Sequence, residues 1–391
     1  MWYFRSPEVV YGEDALSHLA TLRGRRAVIV TDPMMEQLGF VEQVGAQLAA
    51  AGFEYRVFNQ VEPEPSLQTV QRGAEYLADF GPDWIVGLGG GSALDAAKAM
   101  WILYEHPGLK PEAINPLEEL PLRQKARMVA IPTTSGTGSE ATWAVVLTDL
   151  EEKRKIGTGN PACMPDVAIV DPVFALKMPP RLTADTGLDA LTHAVEGYTS
   201  NWHNEFADGL CLTAIKLIFT YLPRAYADGN DAEAREKMHN AATLAGLGFI
   251  NSLHSLAHCF GHSLGAIYRL PHGRAVALFL PYTIQFNANY EEYSGRYGHI
   301  ARFIGLPAGD RQEETARLVE AIRRLQTEVG QPLSIRQALP NLSPASFEDD
   351  LDRLVANAES DPGIVASERP ITTDETFKIF QYAYQGKHID F

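Results

Sequence analysis

Asp189 and His193 stand four residues apart in Leu188-Asp189-Ala190-Leu191-Thr192-His193, and His258 and His262 repeat that spacing in His258-Cys259-Phe260-Gly261-His262. On an α-helix residues four apart share a face, so each pair can aim two side chains at one point. His272 follows in Pro271-His272-Gly273, where a helix is expected to break. Asp189, His193, His258 and His272 together offer one carboxylate and three imidazoles, a donor set suited to Fe(II), Zn(II), Co(II) or Mn(II). A divalent ion held so keeps a formal charge of about +1, and such a Lewis acid polarises a carbonyl or acidifies an alcohol. A single helical histidine is ordinarily a hydrogen-bonded core residue, but that reading would have to explain two spaced pairs and a further histidine together. His203, His239 and His254 lie in or near the same helices and are expected at the surface or in support of the ligands. Cys259 follows His258 directly, so on a helix it points about 100° away and is expected to pack.

A second set of chemistry-bearing residues lies earlier. Gly87-Leu88-Gly89-Gly90-Gly91-Ser92-Ala93-Leu94-Asp95 leaves an apolar run and opens a helical one. Glycines let backbone approach a diphosphate closely, and the free N–H groups of a helix start attract the anion. The match to G-x-G-x-x-G is imperfect, since Ser92 stands where the third glycine would be. The loop Pro132-Thr133-Thr134-Ser135-Gly136-Thr137-Gly138-Ser139-Glu140 offers hydroxyls for a ribose or a nicotinamide amide, or else is an ordinary loop of Ser/Thr turns. Asp32 follows another apolar run; an acid there accepts from ribose hydroxyls and repels a 2′-phosphate. It also precedes Pro33, so it can cap a helix, and both roles are compatible.

Two kinds of framework must carry these groups. Through about residue 177, short apolar runs alternate with helical patterns: Ala27–Thr31, Tyr55–Phe58, Trp84–Leu88, Met128–Ile131 and Val167–Val170 read as strands. Helices are expected over about Met34–Ala51, Ser66–Phe80 and Ala93–Tyr104. Such alternation builds a mainly parallel sheet with helices on its faces. Beyond Lys177 helical spacing dominates, in Ala184–Thr199, Phe206–Tyr221, Ala232–Ala266, Glu313–Val329 and Phe347–Asn357. The expected organisation is an α/β dinucleotide-binding, Rossmann-like domain over 1–177 and an all-α metal-binding domain over 178–391.

Composition narrows the function. The chain has 391 residues, 46% hydrophobic and 21% charged, the balance of a globular protein with sizeable cores. A formal net charge of −16 disfavours a phosphate backbone, so no nucleic-acid partner is expected. No apolar stretch approaches the roughly 18 residues of a membrane span, and MWYFRSPEVV lacks a leader pattern. Three scattered cysteines, Cys163, Cys211 and Cys259, point to a reducing cytoplasm rather than a disulfide framework.

With these segments quoted, the sequence resembles the iron-containing, group III alcohol dehydrogenases over essentially its whole length. The resemblance is densest in Gly89–Lys98, Ile131–Glu140, Gly187–Glu196 and His258–Gly273. Ala97–Trp101 with Tyr104-Glu105-His106-Pro107 looks like the alcohol dehydrogenase part of bifunctional aldehyde–alcohol dehydrogenases, with no aldehyde dehydrogenase part expected before it. The resemblance implies a dehydroquinate synthase-like architecture with a cleft between its two parts, and Asp189, His193, His258 and His272 as ligands of Fe(II) or Zn(II). It implies His262 as a non-ligand histidine relaying the proton. It implies Asp32, Gly89, Gly90, Gly91, Ser92, Asp95, Thr133, Thr134, Thr137 and Lys155 as contacts of NAD(H), although Lys153-Arg154-Lys155-Ile156 aligns less clearly. Phe260 departs from the family's small residues between the two histidines and is expected to narrow the pocket.

The activity expected is reversible hydride transfer between a small primary alcohol or diol and NAD⁺, in a homodimer or higher homo-oligomer. Met1–Tyr11 is strand-like, and by resemblance it would pair across a dimer. A glycerol or polyol dehydrogenase is the rival on the same fold. A non-catalytic nucleotide-binding or filament-assembly protein is the rival of another class.

Overall fold

The computed structural model describes residues 3–151 and 154–391. Lys153 therefore lies outside the described residues, as do the first two residues of the strand-like start. The chain divides into two compact units, Met1–Lys177 and Met178–Phe391.

The first unit is built on strands β1 (Glu8–Tyr11), β2 (Arg26–Val30), β3 (Glu54–Phe58), β4 (Trp84–Gly89), β5 (Arg127–Pro132), β6 (Ala144–Asp149), β7 (Arg154–Gly159) and β8 (Val167–Val170). Its helices are α1 (Pro33–Gln37), α2 (Phe40–Ala50), α3 (Leu67–Phe80) and α4 (Gly91–Glu105). Six strands form a parallel sheet in the order β1-β8-β5-β4-β2-β3. Successive residues of a strand face opposite ways, and two cores result. Val28, Val30, Ile85 and Met128 pack with α3 and α4, while Ala27, Ile29, Val86 and Val129 pack with α2.

The five strands expected from apolar runs are present. The expected single helix from Met34 is divided at Leu38-Gly39 into α1 and α2. Ser66 caps α3 as its spacing suggests, accepting from the Thr69 N–H. The strand-like start pairs within its own chain, with Glu8–Tyr11 in register against Val167–Val170. The antiparallel hairpin of β6 and β7 follows the Thr133–Glu140 loop and was not legible as strands.

The second unit is all helical: α5 (Pro180–Thr199), α6 (Glu205–Ala227), α7 (Ala232–Ile250), α8 (Leu256–Tyr268), α9 (His272–Ala288), α10 (Glu291–Phe303), α11 (Arg311–Glu328), α12 (Ile335–Ala338), α13 (Pro344–Glu359) and α14 (Thr373–Gln385). The expected helix Ala232–Ala266 breaks at 251–255, where Leu253 takes a positive φ of 69°, the Asn251 and Ser252 side chains bond back to Leu247 O and Gly248 O, and the Ser255 N–H turns to the Glu196 carboxylate on α5. Against the sequence expectation, α6 is long and apolar enough, by length and composition, to cross a membrane. It packs against α5 and α7 through Cys211, Ile215, Ile218 and Leu222 and turns Lys216 and Arg224 outward. A core helix of this kind meets the same length test.

Candidate metal centre

Three helices bring four donors together. α5 carries Asp189 and His193 one turn apart, α8 carries His258, and His272 opens α9 directly after Pro271. Around Asp189 Oδ1, His272 Nε2 lies at 3.3 Å, and His193 Nδ1 and His258 Nε2 each at 3.9 Å. One ligand atom from each of the four residues lies within 4.8 Å of every other. His193 is stacked between Phe249 and His258, with ring centroids at 4.2 and 4.4 Å.

Asp189 Oδ1, His193 Nδ1 and His258 Nε2 are buried with no hydrogen-bond partner. Buried polar atoms in native proteins are nearly always answered, so three orphans converging on one point ask for a partner that is not protein. Burial pushes His193 and His258 well below the usual imidazole pKa, which leaves them neutral with free lone pairs. The residues therefore fit a divalent cation.

Glu196, the last residue of the Gly187–Glu196 segment, has a role the sequence reading missed. Its Oε2 accepts from His258 Nδ1 at 2.5 Å and from the Ser255 N–H at 2.9 Å, and its Oε1 accepts from the Ala257 N–H at 2.5 Å. It thus closes the start of α8 and orients the His258 ring, with Nε2 on the side of Asp189. The signal was its place on the helix that already carried two ligands.

His262 lies one turn beyond His258 on α8. Its ring stacks on His272 at 5.1 Å and meets His258 edge-on at 5.6 Å. Its Nδ1 bonds Asp361 Oδ2 at 2.7 Å, and His254 Nε2 lies 3.4 Å from Asp361 Oδ1. His254 is therefore part of the site region. His239 is buried in α7, and His203 is a half-exposed residue beside Asp208. Cys259 packs as expected, its Sγ donating to Ser255 O. Phe260 does not narrow a pocket. It lies two residues from His258, on another face of α8, and packs with Phe279 and Phe380 in the core.

In the first unit, Asp32 follows β2, the glycine turn follows β4, and the Thr133–Glu140 loop follows β5. The chain leaves β2 towards β3 and leaves β4 towards β5, so the strand order reverses between them, where doubly wound sheets bind ligands. A Cβ on Gly89 (φ +148°) would meet Ala93 at 2.6 Å and Asp32 Oδ2 at 3.4 Å; one on Gly91 would meet Thr137 at 2.9 Å. Gly90 lies against Thr134, and the Thr133 N–H donates to Gly89 O. Asp32 also caps α1, accepting from Met34 and Met35 N–H. The Ser92 hydroxyl accepts from the Glu64 N–H, and Lys155 pairs with Glu64 at 2.6 Å. Asp95 turns inward: its carboxylate accepts from Ser139 Oγ and the Val146 N–H and lies 3.6 Å from the fully buried Lys98. Through these contacts it fastens the loop to α4.

Models of two family domains match the chain: iron-containing alcohol dehydrogenase over residues 6–172, and the Fe-containing alcohol dehydrogenase family C-terminal domain over 183–384. The chain belongs to the iron-containing alcohol dehydrogenase family. It is an oxidoreductase of that family, with the Rossmann-like and helical parts expected. It is 39% identical to the NADPH-dependent butanol dehydrogenase of Clostridium saccharobutylicum, over 98% of both chains. It is also 39% identical to the bifunctional aldehyde-alcohol dehydrogenase AdhE of Escherichia coli, over 95% of this chain but 44% of that one. The iron-containing alcohol dehydrogenase of Thermococcus thioreducens superposes with a TM-score of 0.90 at 30% identity, over 99% of this chain and all of that one. The sulfoacetaldehyde reductase of Bifidobacterium kashiwanohense, in complex with NAD⁺, does so with 0.87 at 28%, over 98% of each chain.

Proposed function

We propose that this enzyme interconverts a small primary alcohol and its aldehyde with NAD(H), dependent on a divalent metal held by Asp189, His193, His258 and His272. The observation that carries the reading is the convergence of three orphaned buried donor atoms within a family of alcohol dehydrogenases. When bound, the cation would supply Lewis acidity towards the substrate oxygen, and the dinucleotide would supply the acceptor or donor of the hydride.

The chain's own residues do the rest. Gly89, Gly90 and Gly91 leave room for a diphosphate against the start of α4, where free N–H groups favour an anion. Thr134 and Thr137 stand over that turn, and Thr133 is tied to it. Asp32, at the strand-order reversal, is set to bind ribose hydroxyls. Its charge favours NAD(H), although the butanol dehydrogenase named above is NADPH-dependent. Lys155 reaches the turn through Glu64 and Ser92. His262 takes the hydroxyl proton when the alcohol is oxidised and returns it on reduction. The reaction balances as alcohol plus NAD⁺ giving aldehyde, NADH and a proton. We propose the same division of labour along the chain: dinucleotide in 1–177, metal and substrate in 178–391. Cytoplasmic location and a homodimer complete the reading.

The test is metal analysis of protein purified without oxygen, followed by NADH-coupled assay on primary alcohols, diols, glycerol and sugar phosphates. The reading expects turnover on primary alcohols that disappears on chelation and returns with metal. Full activity in stripped protein would defeat it. Preference for glycerol would favour the polyol reading, and absence of all turnover with metal restored would favour the non-catalytic one.

A further inference from the structure

We infer that Asp361 is a positioning residue for the reaction: it fixes the tautomer and aim of His262, and His254 steadies the same carboxylate from its other side. The inference deepens the proposed function, because it rests on His262 as the proton acceptor.

Asp361 precedes the short helical turn Pro362–Ala366 and caps it, Oδ1 accepting from the Gly363 N–H at 2.9 Å. That bond and the following proline hold the carboxylate in one orientation. Its Oδ2 then accepts from His262 Nδ1 at 2.7 Å, while His254 Nε2 approaches Oδ1 at 3.4 Å. A Cβ at Gly363 would lie 2.6 Å from the His254 ring, so glycine is what admits that second imidazole.

A neutral imidazole has one N–H and one lone pair. With the N–H at Nδ1 spent on Asp361, the lone pair is left on Nε2. The ring is 31% exposed, against 2% for His258 and 23% for His254. On oxidation the C–H bond breaks with its electron pair going to the nicotinamide, and the hydroxyl proton passes to His262 Nε2. The imidazolium so formed stays bonded to Asp361, and reduction reverses both transfers. A second cation bound by His254, His262 and Asp361 is the competing use of the same residues. Against it, the contacts just described let these side chains answer one another, and no atom of the three is among the orphaned donors.

The experiment compares the metal-loaded wild type with Asp361→Asn, His262→Ala and the double variant, using 1-butanol and NAD⁺. It reads kcat, KM, bound metal and NADH affinity. Asparagine keeps the cap on Gly363 but can offer its amide N–H to Nδ1 and so favour the wrong tautomer. We expect Asp361→Asn to lower kcat by about 10- to 100-fold, with KM, metal content and NADH affinity within about twofold. In the His262→Ala background it should cost less than about twofold more, since residues acting as a unit are not additive. Asp361→Ser, a cap too short to reach His262, should match it and serves if the asparagine variant does not fold. An unchanged kcat, a loss that multiplies with that of His262→Ala, or loss of bound metal in step with turnover would each overturn the inference. Should His262→Ala alone leave kcat unchanged, the proton role of His262 falls first, and the inference with it.

Discussion

Two histidine clusters lie side by side on and around α8, made of the same residue types. His254, His258 and His262 recur at four-residue intervals in the sequence and their rings lie 5.1, 5.6 and 5.8 Å from one another, yet the protein treats His258 differently from the other two. His258 faces Asp189, His193 and His272, and that group leaves Asp189 Oδ1, His193 Nδ1 and His258 Nε2 unanswered. His254 and His262 both turn to Asp361, which engages both. The lesson is that histidine spacing proposes a ligand set, while unmet hydrogen-bonding need separates a cation site from a hydrogen-bonded brace.

The comparison breaks most visibly at the centre. His258→Ala should abolish stoichiometric metal and lower NADH-coupled turnover by about 1,000-fold or more, read by elemental analysis and assay together. Retained metal would mean the orphaned atoms are not its ligands. His254→Ala, in the other cluster, should leave metal content unchanged. Next in size is Lys98→Met, a control in the first unit where a buried charge is answered by Asp95, Ser139 and Ala144. Leaving Asp95 buried without its cation should cost about 3–5 kcal/mol, read by denaturant or thermal unfolding. Glu196→Gln should weaken metal affinity by about 10- to 100-fold in chelator competition without loss of fold.

The carboxylates sharpen the same divide at smaller scale. The imidazole hydrogen bonds hold Asp361 far below the ordinary carboxylate range although burial opposes them. Burial instead pushes Glu368 up to about 8, with Arg296 working against the rise. A carboxyl whose folded pKa exceeds its unfolded value keeps a proton that unfolding releases, so it contributes stability at low pH that is lost as pH rises through that window. The Glu368 contribution to the thermal midpoint should therefore fall between about pH 5 and about pH 8, and Glu368→Gln should remove that component of the wild-type slope. An identical slope in both proteins would place the Glu368 carboxyl in water.

Much of this was legible because it is local. An i,i+4 pair names a shared helix face before any folding, which is why Asp189 with His193 stood out. Apolar runs closed by Gly or Asp-Pro name buried parallel strands, and Ser66 names its own helix start. The hairpin of β6 and β7 was missed because its alternation is broken by Thr148, Asp149 and charged residues. Phe260 was misread because nothing in a sequence says which neighbouring helix will cover a residue two positions from a ligand.

Chain order by itself determined the alternation of strand and helix, the glycine turn, and the four donors as candidates. Only tertiary structure decided that Asp95 faces Lys98 and the loop, that Glu196 backs His258, and that Asp361 reaches His262 across 99 residues of sequence. The reason is physical: spacing determines direction within one element, whereas the partner a buried polar group finds depends on which distant element is packed against it.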